Sequence, residues 1–315
     1  MRNTVKYLTK RLLAFFLLAT STFSYAEIES DFTYESFFDQ AIAEIESGNP
    51  FKFEFEYDYV GRSKIKKKEF KGQHVTFSEG DVSLDAVFWY NPEHQEGLTA
   101  GFGYTHNNID WHRNPYFDRN NFNAYVFRIG AFTKRATDWF WIAFGQMNLD
   151  ADHTNWNQYA NYDLLLWGRY NFIPDVGLHV GFVAMTGMKI DRIWPVLGFD
   201  WKIDKHWMLK MVFPLDMALI YEFNKCWCAE VAFRAFMSRY RLGKHELLSK
   251  GLVQYRNYGA EFGVTYHHNN SIKANAHVGY AAGDELKISN RHKTITRIID
   301  FGGAPYAGAA FEFEF

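Results

Sequence analysis

The sequence has 315 residues, with 34 basic and 36 acidic side chains, and 19% of it is aromatic. Seven prolines and two cysteines argue against a disordered chain and against a disulfide scaffold. So many aromatic side chains are hard to bury in one soluble core, whereas lipid-facing surfaces and interfacial girdles use them readily.

Residues 1–26 are predicted to be a cleaved signal peptide. Four basic residues lie among the first eleven, an apolar run follows over residues 12–19, and the segment ends on Ser24-Tyr25-Ala26, a small-x-small cleavage pattern. The run is about half the ~20 residues that a membrane-spanning helix needs, which disfavours an uncleaved anchor.

Residues 27–50 form a separate short element with helical character. Ser36 can cap a helix start, Phe38 and Ile42 fall at helical spacing, and Gly48 with Pro50 ends the pattern. The segment is either a small plug or periplasmic contact, or a helix resting on a barrel rim. We favour the rim, because barrel termini are often only loosely docked.

From Phe51 onward the hydrophobic period becomes two, which indicates strands. Residues 51–59 alternate aromatic and charged side chains, and a bulge is expected near Glu79-Gly80 in the second strand. The pattern predicts about 12–14 strands. The candidates are residues 51–59, 71–90, 97–107, 122–133, 139–149, 162–172, 177–188, 193–203, 206–213, 215–223, 226–240, 252–266, 272–282 and 307–315.

Connection lengths alternate between short and long, as they do in outer-membrane barrels. If the first strand rises from the periplasm, every long connection lies outside and both ends of the 51–315 domain lie inside. This parity requires a turn at Pro214, where proline fits better than in a strand interior. The long connections are residues 108–121, 150–161, 241–251 and 283–305.

The last strand carries a membrane-assembly pattern. Phe311, Phe313 and Phe315 share one strand face, while Glu312 and Glu314 share the other. This arrangement suits hydrocarbon on one side and water on the other, and it predicts recognition by the barrel-assembly machinery. A soluble sandwich or propeller also has alternating strands, but it accounts neither for this ending nor for the loop lengths.

The middle of the chain resembles a known family. The segment Pro195-Val196-Leu197-Gly198-Phe199-Asp200-Trp201-Lys202, followed by Trp207, Pro214 and Tyr221, is similar to an uncharacterised Gram-negative outer-membrane β-barrel family that is defined only as a domain of unknown function. The resemblance implies an all-β transmembrane antiparallel barrel in the cell outer membrane. It implies no reaction or substrate.

In the last strand the phenylalanines face lipid and the residues between them face the lumen. The same alternation, carried to the other strands, predicts which of their residues point inward. The charged residues expected to line the lumen are Glu54, Glu56, Asp85, Arg128, Asp163, Arg169, Asp200, Lys202, Glu230, Arg234 and Glu261. Acidic groups predominate, which predicts a porin-like passage for small hydrophilic solutes with mild cation preference. The alternative is a structural or adhesive barrel closed by internal salt bridges. A transporter of hydrophobic ligands is disfavoured by the charged inner face.

Barrel closure should place the first strand beside the last, so that Glu54 and Glu56 meet Glu312 and Glu314. Like charges across a strand pair destabilise it unless water, a cation or a basic side chain intervenes.

Two further features stay open. A basic run could hold lipopolysaccharide phosphates or could be a solvated loop; it consists of Arg62, Lys64, Lys66, Lys67, Lys68 and Lys71. Cys226 and Cys228 are expected to be free thiols or to form an intermolecular disulfide.

Because enzyme and metal-site motifs are missing, we expect no catalytic residue, metal or cofactor, and no nucleic-acid partner. The expected partners are outer-membrane lipid and small solutes.

Overall fold

The computed structural model describes residues 49–135, 138–153, 155–188, 191–214, 216–268 and 271–315. The predicted signal peptide therefore lies outside the described residues. So does the predicted 27–50 segment, apart from its last two residues.

The described chain consists almost entirely of β-strands. The strands are β1 (Phe51–Lys64), β2 (His74–Asn91), β3 (Glu96–Trp111), β4 (Asn121–Thr133), β5 (Trp139–Asp150), β6 (Ala160–Ile173), β7 (Val176–Gly187), β8 (Arg192–Lys202), β9 (Trp207–Phe213), β10 (Asp216–Asn224), β11 (Trp227–Arg241), β12 (Leu252–His268), β13 (Ile272–Ala281), β14 (Glu285–Ser289), β15 (Thr296–Asp300) and β16 (Ala304–Glu314). One short helix, α1 (Trp156–Tyr159), and one 3-10 turn (Lys68–Phe70) lie in the connections. No helix in this part of the chain is long and apolar enough to cross a membrane.

Strands β1–β13 and β16 close into a 14-stranded antiparallel barrel. Each strand pairs with the next in the chain up to β13, which pairs with β16, and β16 closes the ring on β1. The closing register sets Glu54 opposite Glu312 and Phe53 opposite Phe313. We call the rim with the short connections and both barrel ends the turn end, and the opposite rim the loop end.

The outer face of the barrel is an exposed apolar band. Alternate residues of each strand point outward, and large side chains there, such as Phe102, Ile129, Leu164 and Phe262, are 47–65% exposed. A contiguous apolar surface of this extent is the kind that transmembrane barrels place against lipid. Tryptophans of the turn end pair with tyrosines, as Trp207 does with Tyr221 and Trp227 with Tyr266, and such pairs are typical of an interfacial girdle.

The inner face carries two buried apolar clusters that the charged sequence pattern does not indicate. The first fills the loop-end half of the interior and is built around Phe77, Phe122, Phe236 and Tyr255. The second lines the wall from β4 to β9. The predicted charged inner face is thus only part of the lining, because apolar residues also occupy the inward positions of many strands.

The loop ends of β11 and β12 leave the wall and fold into the interior. We call residues 235–256 the inner hairpin; all of its residues from Phe236 to Arg241 and from Leu252 to Tyr255 are buried, whichever face they lie on. β10 begins at Asp216, and its register with β11 starts at the pair Ala218 and Ala232. Within the described residues, β11 therefore has no neighbour on that side beyond this point and turns inward.

Two local expectations are wrong. The predicted long connection at residues 283–305 contains β14 and β15, whose inward residues Leu286, Ile288 and Ile299 join the first apolar cluster. No bulge occurs at Glu79-Gly80, because the register of β2 is continuous there; Gly80 instead makes room for the Tyr57 ring. The register shifts lie between Val60 and Ser63 and between Val87 and Trp89.

Candidate functional site

The turn-end half of the interior is an open cavity of about 570 Å³, which we call the vestibule. Strands β9–β13, β16 and β1 supply its walls because their inward residues near the turn end are polar or charged. Glu54, Glu56, Glu230, Arg234 and Glu261 line it, together with several neutral and basic side chains. The lining is predominantly charged, with Lys210, Lys273 and His277 among the basic groups.

The roof of the vestibule is an ion cluster centred on Arg234. From β11 its guanidinium donates to Glu56 and, over 2.7 Å, to Asp58 on β1, four strands away around the ring. Asp58 is also 2.6 Å from Nε2 of His277, and Glu261 accepts a hydrogen bond from Tyr306 over 3.0 Å. This boundary cluster joins two parts of the wall that lie four strands apart.

Beside the boundary cluster, a chain of polar side chains begins on β2 and runs along the inner wall to β6. Arg128 donates to Asp85 over 2.8 Å and to Gln146 over 3.3 Å, and Gln146 donates to Asn148 over 2.9 Å. Asn148 in turn donates to Asn161 over 2.7 Å and to Asp163 over 3.3 Å. We call this chain the polar lane.

The inner hairpin covers the polar lane. Arg239 lies 3.6 Å from Asp163, and Asn107 of β3 donates to the Tyr240 hydroxyl over 2.6 Å. Between hairpin and lane is a pocket of about 70 Å³, lined by amides, carboxylates and both arginines. Nε and Nη1 of Arg239 have no hydrogen-bond partner among the described residues. The pocket is large enough for several waters or a small polar solute.

The other side of the hairpin packs against the first apolar cluster. Phe77 of β2 stacks on Tyr255 at 4.1 Å between ring centroids, and Phe122 of β4 stacks on Tyr240 at 4.9 Å. External connections close over this packing: Arg241 donates to the backbone carbonyl of Gln158, and the backbone N–H of Asp118 donates to Glu246. The loop-end half is therefore filled except along the polar lane.

Two further groups of charges are paired on the β6–β10 wall. Arg169 donates to Asp200 over 2.6 Å, and Asp200 is 3.0 Å from Nε2 of His179. Lys210 lies 3.1 Å from Asp216. Lys202 differs from the other charged candidates, because it is exposed at the end of β8 next to the turn end.

The closing seam contains a basic residue between its carboxylates. Lys52 of β1 is only 1% exposed, and its Nζ lies 2.9 Å from Glu312 and 3.8 Å from Glu54. The carboxylates that face each other across β1 and β16 are therefore bridged by a lysine. Phe311, Phe313 and Phe315 are exposed on the outer face, and Phe315 stacks on Phe51 at the seam.

Sequence reasoning missed Arg239 and the amides of the polar lane. Gln146 and Asn148 are in inward phase with Phe144, so the alternation of β5 places these two uncharged amides in the lumen. Arg239 shares its phase with Phe233, which is exposed on the outer face. An arginine in a lipid-facing phase is itself a signal that the strand leaves the wall.

The two cysteines form no disulfide with each other. Cys226 lies in the turn before β11 and is exposed, so it does not share a strand face with Cys228. The Cys228 sulfur is 3.9 Å from Nε2 of His267. The described residues contain no group of three or more His, Cys, Asp or Glu side chains placed to hold a metal ion.

A closed antiparallel barrel with an apolar belt and a polar interior is the architecture of outer-membrane barrels. The model of the family "Domain of unknown function (DUF6268)" matches residues 136–314, more than half of the chain. The chain belongs to this family.

Relatives and solved structures show the following similarities. An uncharacterized protein of Chlamydia trachomatis is 21% identical over 280 residues, covering 84% of this chain and 87% of the relative. One of Chlamydia pneumoniae is 23% identical over 263 residues, covering 77% and 80%. Among solved structures, an outer-membrane channel from Pseudomonas putida F1 aligns with a TM-score of 0.47 at 7% identity, over 85% of this chain and 96% of that one. The KdgM porin in complex with oligogalacturonate aligns at 0.38 with 9% identity, over 84% and 99%. The fold assignment rests on the strand pairing of the chain itself.

Proposed function

We propose that this chain is an outer-membrane β-barrel that passes small hydrophilic solutes along the polar lane, with a mild preference for cations. The turn end faces the periplasm in this proposal, and the loop end faces outward. The observation that carries it is the hydrogen-bonded series from Asp85 to Asp163, which begins beside the boundary cluster and ends under the external loops.

The polar lane has the chemistry of a selective rather than a wide passage. Amide side chains donate and accept, so they can replace the hydration of a small solute in either orientation. The six carboxylates of the vestibule lining outnumber its four lysine and arginine side chains, which favours cations at the periplasmic entrance. The pocket of about 70 Å³ under the inner hairpin restricts the passage to ions and small molecules.

A second candidate is a closed barrel with a structural or adhesive role. It is favoured by the buried aromatic packing of the loop-end half and by the pairing of the interior charges with one another. In this alternative the polar lane satisfies buried polar groups, and function lies in the external loops.

Single-channel recording in planar bilayers separates the two candidates. We expect small conductance steps for the natural sequence and a cation-selective reversal potential in a KCl gradient. Asn148→Trp should reduce the steps by filling the polar lane, and Asn148→Ala should enlarge them. Leu164→Trp is the matched control, because this neighbouring side chain lies on the outer face and is 47% exposed. An absence of steps above background for the natural sequence and for Asn148→Ala would contradict the passage.

A further inference from the structure

We propose that the outer face of β1 at the loop end binds the phosphates of a phosphorylated outer-leaflet lipid. The binding surface consists of Arg62, Lys64 and Lys66, which we call the basic strip. The inference rests on the membrane placement in the proposed function, but it does not depend on conduction.

The backbone holds the basic strip in one orientation. The register shift between Val60 and Ser63 resets the strand so that Ser63 and Ile65 are buried, while Arg62, Lys64 and Lys66 are exposed. The strand continues past its assigned end: the N–H of Gly302 donates to the Lys64 carbonyl over 2.8 Å, and the N–H of Lys66 donates to the Asp300 carbonyl over 2.9 Å. The three basic side chains therefore project from a hydrogen-bonded stretch of backbone, and neighbouring members are spaced about 7 Å apart along it.

The strip lacks internal ion pairs, unlike two basic residues near it. Lys67, in the same run, lies 2.6 Å from Glu69 and over the ring of Phe70. Arg256 on β12 is similarly paired with Asp284. By contrast, none of the three strip residues is within ion-pair distance of a carboxylate of the described chain. Exposed Asp300 contacts Lys66 only through its backbone.

The height of the strip matches that of lipid headgroups. Tyr57 and Tyr59 lie on the outer face of the same strand, just before the strip, and are 44% and 47% exposed. Tyrosines at such positions mark the interface between hydrocarbon and headgroups. Arg62 follows Tyr59 by three residues, or about 10 Å, so the strip stands at the level where lipid phosphates lie.

A lipid fits this surface better than a free phosphate does. The cations are spread along an open strand face rather than gathered in a pocket, so one small anion would contact only one of them. Acyl chains of a phosphorylated lipid could lie on the apolar band below, where Val278 and Tyr280 are about 60% exposed. Charge and apolar contacts then act together.

Native mass spectrometry of the detergent-solubilised barrel, titrated with bisphosphorylated lipid A, tests the proposal. The variant Arg62→Gln/Lys64→Gln/Lys66→Gln should bind at least about tenfold more weakly than the natural sequence. The control Lys134→Gln/Lys205→Gln/Lys225→Gln removes as many exposed charges near the turn end and should bind within about twofold of the natural sequence. Urea unfolding of both variants verifies that they fold.

Three results would overturn the proposal: unchanged binding by the strip variant, equal affinity for dephosphorylated lipid A, or displacement of the lipid by an equal concentration of inorganic phosphate. Conductance of the strip variant should match that of the natural sequence. A lipid titration without binding would therefore not contradict the proposed passage. An absence of conductance steps would not contradict the lipid site.

Discussion

The two halves of the barrel interior share strands β1, β11–β13 and β16 but contain different chemistry. The turn-end half is an open, charged vestibule, whereas the loop-end half is filled by the inner hairpin and an aromatic cluster. The difference arises where β10 starts at Asp216 while β11 runs on to Arg241. Unequal strand lengths decide what fills a barrel as much as the alternation of side chains does.

The boundary between the halves is narrow and ionic. Arg234 is the last inward residue of β11 before the inner hairpin begins, and it contacts Glu56 and Asp58 on β1. A partly buried arginine among carboxylates holds the two strands together because removing either partner would leave an uncompensated charge.

The largest expected effect on stability is in the aromatic packing. Phe77→Ala should lower the free energy of unfolding by about 3–5 kcal/mol, because Phe77 is fully buried and stacks on Tyr255. Urea unfolding in detergent micelles measures it. Phe262→Ala, on the outer face, is the control and should cost much less; equal losses would mean that the loop-end half is not a packed core.

A smaller loss is expected at the seam of the turn-end half. Lys52→Met should cost about 2 kcal/mol, since Glu54 and Glu312 would then face each other without the bridging ammonium. The same urea titration applies. Adding Glu312→Gln should recover much of the loss, and a lack of recovery would show that Lys52 acts through packing alone.

The boundary cluster should control the passage of ions between the two halves of the barrel interior. Arg234→Gln removes the cation that joins β11 to Glu56 on β1, so we expect conductance and cation selectivity to rise by on the order of twofold. Single-channel recording in a KCl gradient measures both. Arg135→Gln breaks an exposed ion pair with Glu96 outside the interior and should change neither; an unchanged Arg234→Gln trace would exclude this gating role.

The smallest effect is expected in a turn-end connection. Backbone N–H groups of His206 and Trp207 donate to Asp204 and lower the pKa of its carboxyl below the ordinary value of 3.8. Its stabilisation is therefore fully present above that value and is lost as the pH falls through the lowered pKa. The destabilisation caused by Asp204→Ala should be largest at neutral pH and should shrink in acid.

The matched control for that pH series is Asn224→Ala in the neighbouring turn-end connection, where the amide oxygen of Asn224 accepts the backbone N–H groups of Cys226 and Trp227. We expect the effect of this substitution to be independent of pH, because an amide side chain does not titrate. If the difference in unfolding free energy between Asp204→Ala and the natural sequence stayed constant from neutral to acid pH, the stabilising role of the Asp204 carboxylate would be contradicted.

Much of the barrel wall could be predicted from the sequence, because the alternation of apolar and polar residues in each strand shows which face is which. The parity argument that placed a turn at Pro214 agrees with the hairpin between β9 and β10, and the Glu54–Glu312 register follows from closure. The interior could not be predicted in the same way. Which residues of β11 lie in the wall or fold into the lumen depends on where β10 begins, and the alternation of β11 alone does not contain that information.

The inner hairpin illustrates this limit. Phe236 and Tyr240 are in inward phase, while Met237 and Arg239 are in lipid-facing phase, yet all four are buried. Only the contacts across the barrel, such as Asn107 with Tyr240 and Asp163 with Arg239, identify the fold of this segment. β14 and β15 were missed for a related reason, since five-residue strands give too few alternations to stand out from a loop.

The central claim is that the inner hairpin closes all of the loop-end half except the polar lane. Its most direct test is the single-channel conductance of a variant in which residues 238–255 and 282–303 are each replaced by Asn-Gly. Met237 with Arg256 and Ala281 with Ala304 are register partners, so a two-residue turn can join each pair. In a control, only residues 243–250 are replaced by Asn-Gly, which removes the tip of the loop and keeps the paired strands of the inner hairpin. We predict a severalfold larger conductance for the first variant and little change for the control; equal conductance of the shortened and natural barrels would contradict the account.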